Sequence, residues 1–248
     1  MKKQLFIFVF FFYYSTTFAT IQLRPANEAY SKGQFDEALA LYQQLANEGQ
    51  VSWVLYYNLA NAAFKTGNYA LAVLNYERAA RLNPTHPDIR YNLSLVRNQL
   101  PDKQTVLTYT GVTGFLFYLR NLLTIDQWAW LSIMFLFMSF VSFLLTYLLH
   151  SFTLKKILFV LVPFWFFPAI SSALLAQWYY VDFYKNEAIV MNTEVPVFSS
   201  PDKSVVLFVL HYGTKINIQK EKNEWLNISF EDKSGWIEAT HLARISVP

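Results

Sequence analysis

Three patterns of apolar spacing divide the chain. From 24 to 99, apolar residues recur every three or four positions, the period of helices that bury one face. From 127 to 181 they run almost unbroken, and from 187 onward they alternate with polar residues as in half-buried strands. The middle block holds two uncharged runs, 127–154 and 157–181, separated by Lys155 and Lys156 alone. A spanning helix needs roughly 20 apolar residues, so the pattern predicts spans over 127–149 and 157–179. Trp128 and Trp130 open the first run, and Trp178, Tyr179 and Tyr180 close the second, where aromatic belts meet lipid headgroups. The lysine pair places the connection on the cytoplasmic side, which leaves both flanking regions outside. Pro163 and Pro168 are expected to kink the second span. Neither span carries an internal acid or base, so no ion pathway is visible. Residues 112–125 are apolar with one arginine, and read as a helix on the membrane surface or as an extension of the first span.

The N-terminus, MKKQLFIFVFFFYYSTTFAT, places two lysines before an apolar run and ends in a small-residue box. It reads as a signal peptide over 1–19, with an uncleaved anchor as the alternative. Either sends the following residues across the membrane.

The first block repeats itself. Aligning Gly33 with Gly67, an offset of 34, brings Phe35 onto Tyr69, Ala38 onto Ala72 and Tyr42 onto Tyr76. The same offset brings Ala26, Ala29 and Tyr30 onto Ala60, Ala63 and Phe64. Residues 58–84, NLANAAFKTGNYALAVLNYERAARLNP, read as a helical hairpin with a glycine turn and a proline stop. This resembles the tetratricopeptide repeat, whose period is also 34. A third helix starts at Pro87-Asp88 and carries Ile89, Leu93 and Val96 at helical spacing. Two repeats and this capping helix over 24–99 are about the minimum for a stable array. The concave face of such a stack holds peptides or helices. Its candidate partner-binding residues are Asn27, Tyr30, Asn58, Asn61, Phe64, Lys65 and Asn92. Packing inside the repeat is the alternative role for Tyr30 and Phe64, and a solvated surface for the asparagines. Asn27 and Asn58 fall on asparagine positions of the repeats that clamp a terminal carboxylate, but Leu23, Asp88 and Asn92 occupy its cation positions. That ligand is not expected.

Beyond Tyr184, five or six short alternating runs predict a small β-barrel over 187–245. The strings HYGTKI, EWLNI and Gly235-Trp236-Ile237 resemble the bacterial SH3 domain. Phe198, Tyr212, Trp225 and Trp236 are candidates for an aromatic groove, with packing inside the barrel as the alternative for Trp236. The expected fold class is therefore multidomain α plus β: an α-solenoid, a two-helix transmembrane hairpin and an SH3-like barrel.

Composition agrees with the membrane reading. Of the 248 residues 54% are hydrophobic and 19% aromatic, and the formal charge is +3 without a basic patch, which argues against nucleic acid. Cysteine is absent, which excludes disulfides, thiol nucleophiles and cysteine-ligated zinc. His86, His150, His211 and His241 stand alone, and no nucleophile, phosphate-loop or dinucleotide motif occurs. No catalytic residue, metal or cofactor is expected.

The order of elements, with YYNLANAAFKTGNYALAVLNYERAARLNPTHPDIRYNLSLVRNQLPDK and the GWI step, is similar to the BatE proteins of the Bacteroides aerotolerance operon family. The resemblance implies an inner-membrane protein with periplasmic domains. It implies as partners membrane proteins with von Willebrand A-type domains from the same operon, and indirectly a MoxR-type ATPase. It brings no catalytic residues. The leading expectation is a non-enzymatic scaffold, and the alternative is a cell-wall sensor or tether that binds peptidoglycan through the SH3-like module.

Overall fold

The computed structural model describes residues 23–103, 110–203 and 205–247, so the expected signal peptide at 1–19 lies outside the described residues. The chain divides into two compact units. One joins Met1–Thr105 to Asn186–Pro248, and the other is Val106–Lys185.

Among its described residues the first unit opens with five helices: α1 (Arg24–Ser31), α2 (Phe35–Asn47), α3 (Trp53–Lys65), α4 (Tyr69–Leu82) and α5 (Pro87–Arg97). Ser52 and Asn68 cap α3 and α4 by accepting the amides of Leu55 and Leu71. Prolines stand in the first turns of α1 and α5. Gly33 and Gly67 end the first helix of each hairpin, both at φ +77°, a conformation that a Cβ disfavours. The helices approach through Ala38, Ala60 and Ala72, none of which keeps any exposure, and Tyr42 and Tyr76 fill the spaces between them.

Seven strands follow among the described residues: β1 (Glu187–Val190), β2 (Glu194–Phe198), β3 (Val206–His211), β4 (Lys215–Lys222), β5 (Trp225–Phe230), β6 (Lys233–Glu238) and β7 (Leu242–Arg244). Every pairing is antiparallel, in the order β3-β2-β6-β5-β4-β1-β7. The sequence predicted a barrel; the pairings among the described residues end at β3 and β7, without the closing ladder a barrel requires. Alternation holds along the strands, with Val195 and Val197, Leu226 and Ile228, and Ile237 pointing into the sheet's own core.

The third helical unit has only its first helix. The apolar side chains that a second helix would cover, Leu93, Val96 and Leu100, instead join Val73 and Tyr76 in a cluster completed by Ile189 and Ile245 of the sheet region. Gly213, in the β3–β4 turn, presses on Leu100 so closely that a Cβ there would lie 2.5 Å from its side chain. The sheet is thus the cap of the helical stack.

Charge fixes the register of this cap. Glu77 on α4 pairs with Arg97 on α5 and with Lys215 on β4 at 3.0 Å. Lys215 reaches Glu187 on β1 at 2.9 Å, and Glu187 reaches Arg81 on α4 at 2.9 Å. Beyond this alternating row, Asp102 accepts hydrogen bonds from the His211 amide at 2.9 Å and the Thr214 hydroxyl at 2.7 Å, and its other oxygen lies 2.8 Å from His211 Nδ1. Arg78 donates to the Arg244 carbonyl oxygen at 3.0 Å. Burial opposes the charge on Glu77, but Lys215 and Arg97 outweigh it and hold the carboxyl below its usual range. Burial likewise opposes the Lys215 charge, and Glu77 and Glu187 outweigh it and raise the ammonium.

The second unit contains α6 (Gly111–Arg120), α7 (Ile125–Leu148) and α8 (Phe152–Phe183). The segment expected as a helix over 112–125 ends earlier, at Arg120. Thr124 and Gln127 form a capping box that starts α7 as a separate helix. At 24 and 32 residues, α7 and α8 are about 36 and 48 Å long, against about 30 Å for a bilayer's hydrocarbon core. Both are long and apolar enough to cross a membrane. Pro163 and Pro168 lie inside a helix that continues through both. Between the two helices Ser139 donates to the Val162 carbonyl at 3.0 Å and Ser132 to that of Ala169 at 2.9 Å.

Replacing Glu77 by Gln leaves Lys215 and Arg97 without their shared counter-charge. This should cost about 3–5 kcal/mol, as removal of one member of a buried pair does. A lowered denaturant midpoint of the full chain in detergent, followed by hydrogen exchange in α4 and β4, is the readout. Because the Glu77 pKa is depressed, its contribution is complete above the ordinary glutamate value of about 4.3 and is lost as pH falls through the lower folded value. Because the Lys215 pKa is raised, its contribution is complete below about 10.4 and is lost as pH climbs through the higher folded value. The wild-type midpoint should be level between these limits and drop in acid, and Glu77→Gln should flatten the acid limb.

Candidate functional site

The repeat period reappears as a hydrogen-bond ladder along the first helices of the stack. In the first repeat, Asn27 Oδ1 accepts the Tyr42 hydroxyl at 2.6 Å and Asn58 Nδ2 at 3.2 Å. One repeat later, Asn61 Oδ1 accepts the Tyr76 hydroxyl and Asn92 Nδ2, the latter at 3.1 Å. Each bonded set is displaced by the same 34 residues. An amide oxygen offers two lone pairs, so each rung fills one asparagine's acceptor capacity and links three helices. Burial pushes the Tyr42 phenol up to about 12 and raises that of Tyr76 as well, so both remain donors at physiological pH.

Asn27, Tyr30, Tyr42, Asn58 and Asn61 line a cavity of about 200 Å³. With their oxygens occupied, Asn27 and Asn61 retain the Nδ2 donors, and neither Nδ2 has an acceptor among the described residues. The cavity wall therefore offers two amide donors one repeat apart, beside the Tyr30 phenol. Such a surface matches the carbonyls of an extended backbone.

The other expected residues of this face separate by role. Phe64 packs on Tyr69, with ring centroids 5.7 Å apart, and belongs to the core of its own repeat. Lys65 lies over the Phe35 ring at 5.9 Å and is exposed to solvent. Asn92 serves the ladder and also donates to the Tyr57 hydroxyl at 3.1 Å. Tyr42, which the sequence marks only as the repeat counterpart of Tyr76, also lines the cavity; the tyrosine and asparagine recurring at the same offset are the signal.

On the sheet, Phe198, Trp225 and Trp236 come together on β2, β5 and β6. Phe198 meets Trp225 edge-on at 5.8 Å and is the register partner of Trp236. Lys203 lies over Trp225 at 5.7 Å and pairs with Glu238 at 2.7 Å. Trp236 is half-buried, between the inward-pointing Gly235 and Ile237. Tyr212 is elsewhere, packed against the cluster that joins the sheet to α4 and α5.

Two histidines that look isolated in sequence have tertiary partners. His211 meets Asp102 across 109 residues, and the His86 ring lies 4.7 Å from that of Trp53. Burial works against ionisation of Asp102, but the hydrogen bonds from His211 and Thr214 prevail and hold it below the usual aspartate range. Among the described residues no group of three or more acidic or histidine side chains is placed to hold a metal ion.

Residues 53–86 match the family model of the tetratricopeptide repeat, spanning α3, α4 and the turn before α5. No curated protein matches the chain. The repeat is typical of non-enzymatic proteins that bind other proteins.

A double-mutant cycle on Asn61→Ala and Tyr76→Phe isolates one rung. Asn61→Ala strands the buried Tyr76 hydroxyl and should destabilise the chain by about 1–3 kcal/mol. In the Tyr76→Phe background the same change should cost less, giving a coupling of about 1 kcal/mol. Additive unfolding midpoints would mean that solvent replaces the bond.

Proposed function

We propose that the chain is a non-enzymatic scaffold, anchored to a membrane by α7 and α8, whose repeat face holds an extended segment of a partner protein. The observation that carries this is the cavity beneath Asn27 and Asn61, with its two available amide donors one repeat apart. Neutral amide donors suit backbone carbonyls better than a free carboxylate, which needs a cluster of cations. The match to the tetratricopeptide repeat supports a protein ligand. The likeness to the aerotolerance-operon proteins supports an inner-membrane setting with the repeats and sheet in the periplasm, and membrane partners with von Willebrand A-type domains. Membrane anchoring confines the scaffold and such partners to one surface, which raises their effective concentration without a new contact.

A second reading, attachment to peptidoglycan, is favoured by the Phe198–Trp225 pair with Lys203 above it. An aromatic face with an adjacent cation suits sugar rings and carboxylated stem peptides.

Affinity capture from mild-detergent membranes separates the two. Asn58→Arg places a long side chain over the cavity and leaves Tyr42 bonded to Asn27. It should abolish recovery of co-purifying membrane proteins while Trp225→Ala leaves that recovery intact. Retention on purified cell wall that is lost in Trp225→Ala and unaffected by Asn58→Arg would establish the tether instead.

A further inference from the structure

Helix α6 is exposed, yet almost nothing on it is suited to water. Its outward large side chains are Val112, Phe115, Leu116 and Tyr118, with Leu122 in the turn that follows, and each is between 40% and 75% exposed. The hydroxyl of Thr113, in its first turn, turns back to the Thr110 carbonyl at 2.8 Å. Its single charge, Arg120, is 4% exposed and does not face outward. The guanidinium pairs with Asp182 near the end of α8 and stacks on Trp178 at 4.6 Å, Phe117 at 4.8 Å and Tyr179 at 5.4 Å. Trp128, in the first turn of α7, donates its indole N–H to the Arg120 carbonyl at 2.7 Å.

From this we propose that α6 is immersed in the bilayer at the boundary between headgroups and acyl chains, with Arg120 as its neutralised pin. The proposal rests on the reading that α7 and α8 span a membrane. Three observations select lipid as the occupant. The apolar surface of α6 continues that of α7 and α8 within the same unit, where Phe137, Phe159 and Phe167 are equally exposed. The pin fastens the end of α6 to Trp128, Trp178 and Tyr179, residue types that settle at the membrane–water interface. The helix is too small for a stable protein interface. Its ten residues fall well short of the roughly 20–30 residues a side of a standard protein complex. A helix that floats on a membrane keeps a charged face toward water. Here the charge is cancelled internally, so immersion costs no exposed ion.

The natural chain has no cysteine, so single-cysteine labelling needs no background removal. An environment-sensitive fluorophore is placed in the full chain at Phe115→Cys, at Phe137→Cys in the middle of α7, and at Glu48→Cys on the exposed repeat surface. Each is reconstituted at one copy per lipid nanodisc. The expected result is that Phe115 is quenched best by a lipid with a shallow spin label, Phe137 by a lipid with a deep one, and Glu48 by aqueous iodide alone. Iodide quenching at Phe115 equal to that at Glu48, with Phe137 still protected, would overturn the immersion of α6. Iodide access at Phe137 would instead overturn the spanning reading on which it rests. Protection of Phe115 that appears in crowded vesicles and vanishes at one copy per nanodisc would assign the face to a second copy. Arg120→Gln should raise iodide quenching at Phe115 several-fold and leave Phe137 unchanged; an unchanged Phe115 would remove the pin from the proposal.

Discussion

The row of alternating charges Arg97–Glu77–Lys215–Glu187–Arg81 is the constraint on which the repeat unit depends. Two repeats and a lone helix leave an apolar end that water would cover at considerable cost. Ile189, Ile245 and the β3–β4 turn close that end. Apolar contact alone is indifferent to register, whereas a buried carboxylate between two cations is not. A slip of the sheet by one residue would break the Lys215–Glu77 and Arg81–Glu187 pairs and leave the buried Glu77 and Lys215 with one partner each instead of two. The charges therefore choose one docking out of the many that hydrophobic burial would allow.

The ladder along the concave face follows the same logic on a smaller scale. Alanines bring the helices together, and the asparagine–tyrosine rungs decide how far each helix may slide along the next. Asn27 and Asn61 thus have two roles. Their oxygens hold the stack while both residues line the cavity, so in the proposed binding mode the amide nitrogens are left for a partner because the packing bonds are made on the other atom of the same amide. Substitutions of Asn27 or Asn61 disturb the stack as well as the proposed binding face, whereas Asn58 only donates to the rung.

In the second unit, hydroxyl–carbonyl bonds of Ser132 and Ser139 tie α7 to α8, whose buried residues also include Ser142 and Ser172. The Arg120–Asp182 pair tethers α6 to the same hairpin. In sequence Arg120 is the one charge in the apolar stretch 112–125. In the structure its charge is cancelled by an acid 62 residues away.

What the sequence determined is everything governed by local periodicity. The 34-residue offset, the glycine turns, the proline starts and the two uncharged runs pointed to the helices of the repeats and to the two long apolar helices, because a helix or a span is specified by neighbours within a few turns. Alternation likewise located the strands, and the aromatic trio Phe198, Trp225 and Trp236 fell together because adjacent strands pair in register. Only the tertiary structure decided that the repeats and the sheet share one core, that Tyr212 belongs to that core and not beside Trp225, that the strand pairings among the described residues run from β3 to β7 without a closing ladder, and that Glu77, Asp102 and Arg120 find partners between 62 and 138 residues distant. The physical reason is that a charge or an aromatic ring carries no mark of its distant partner. Which pairs form is set by the docking of whole faces, and that docking is a property of the folded chain.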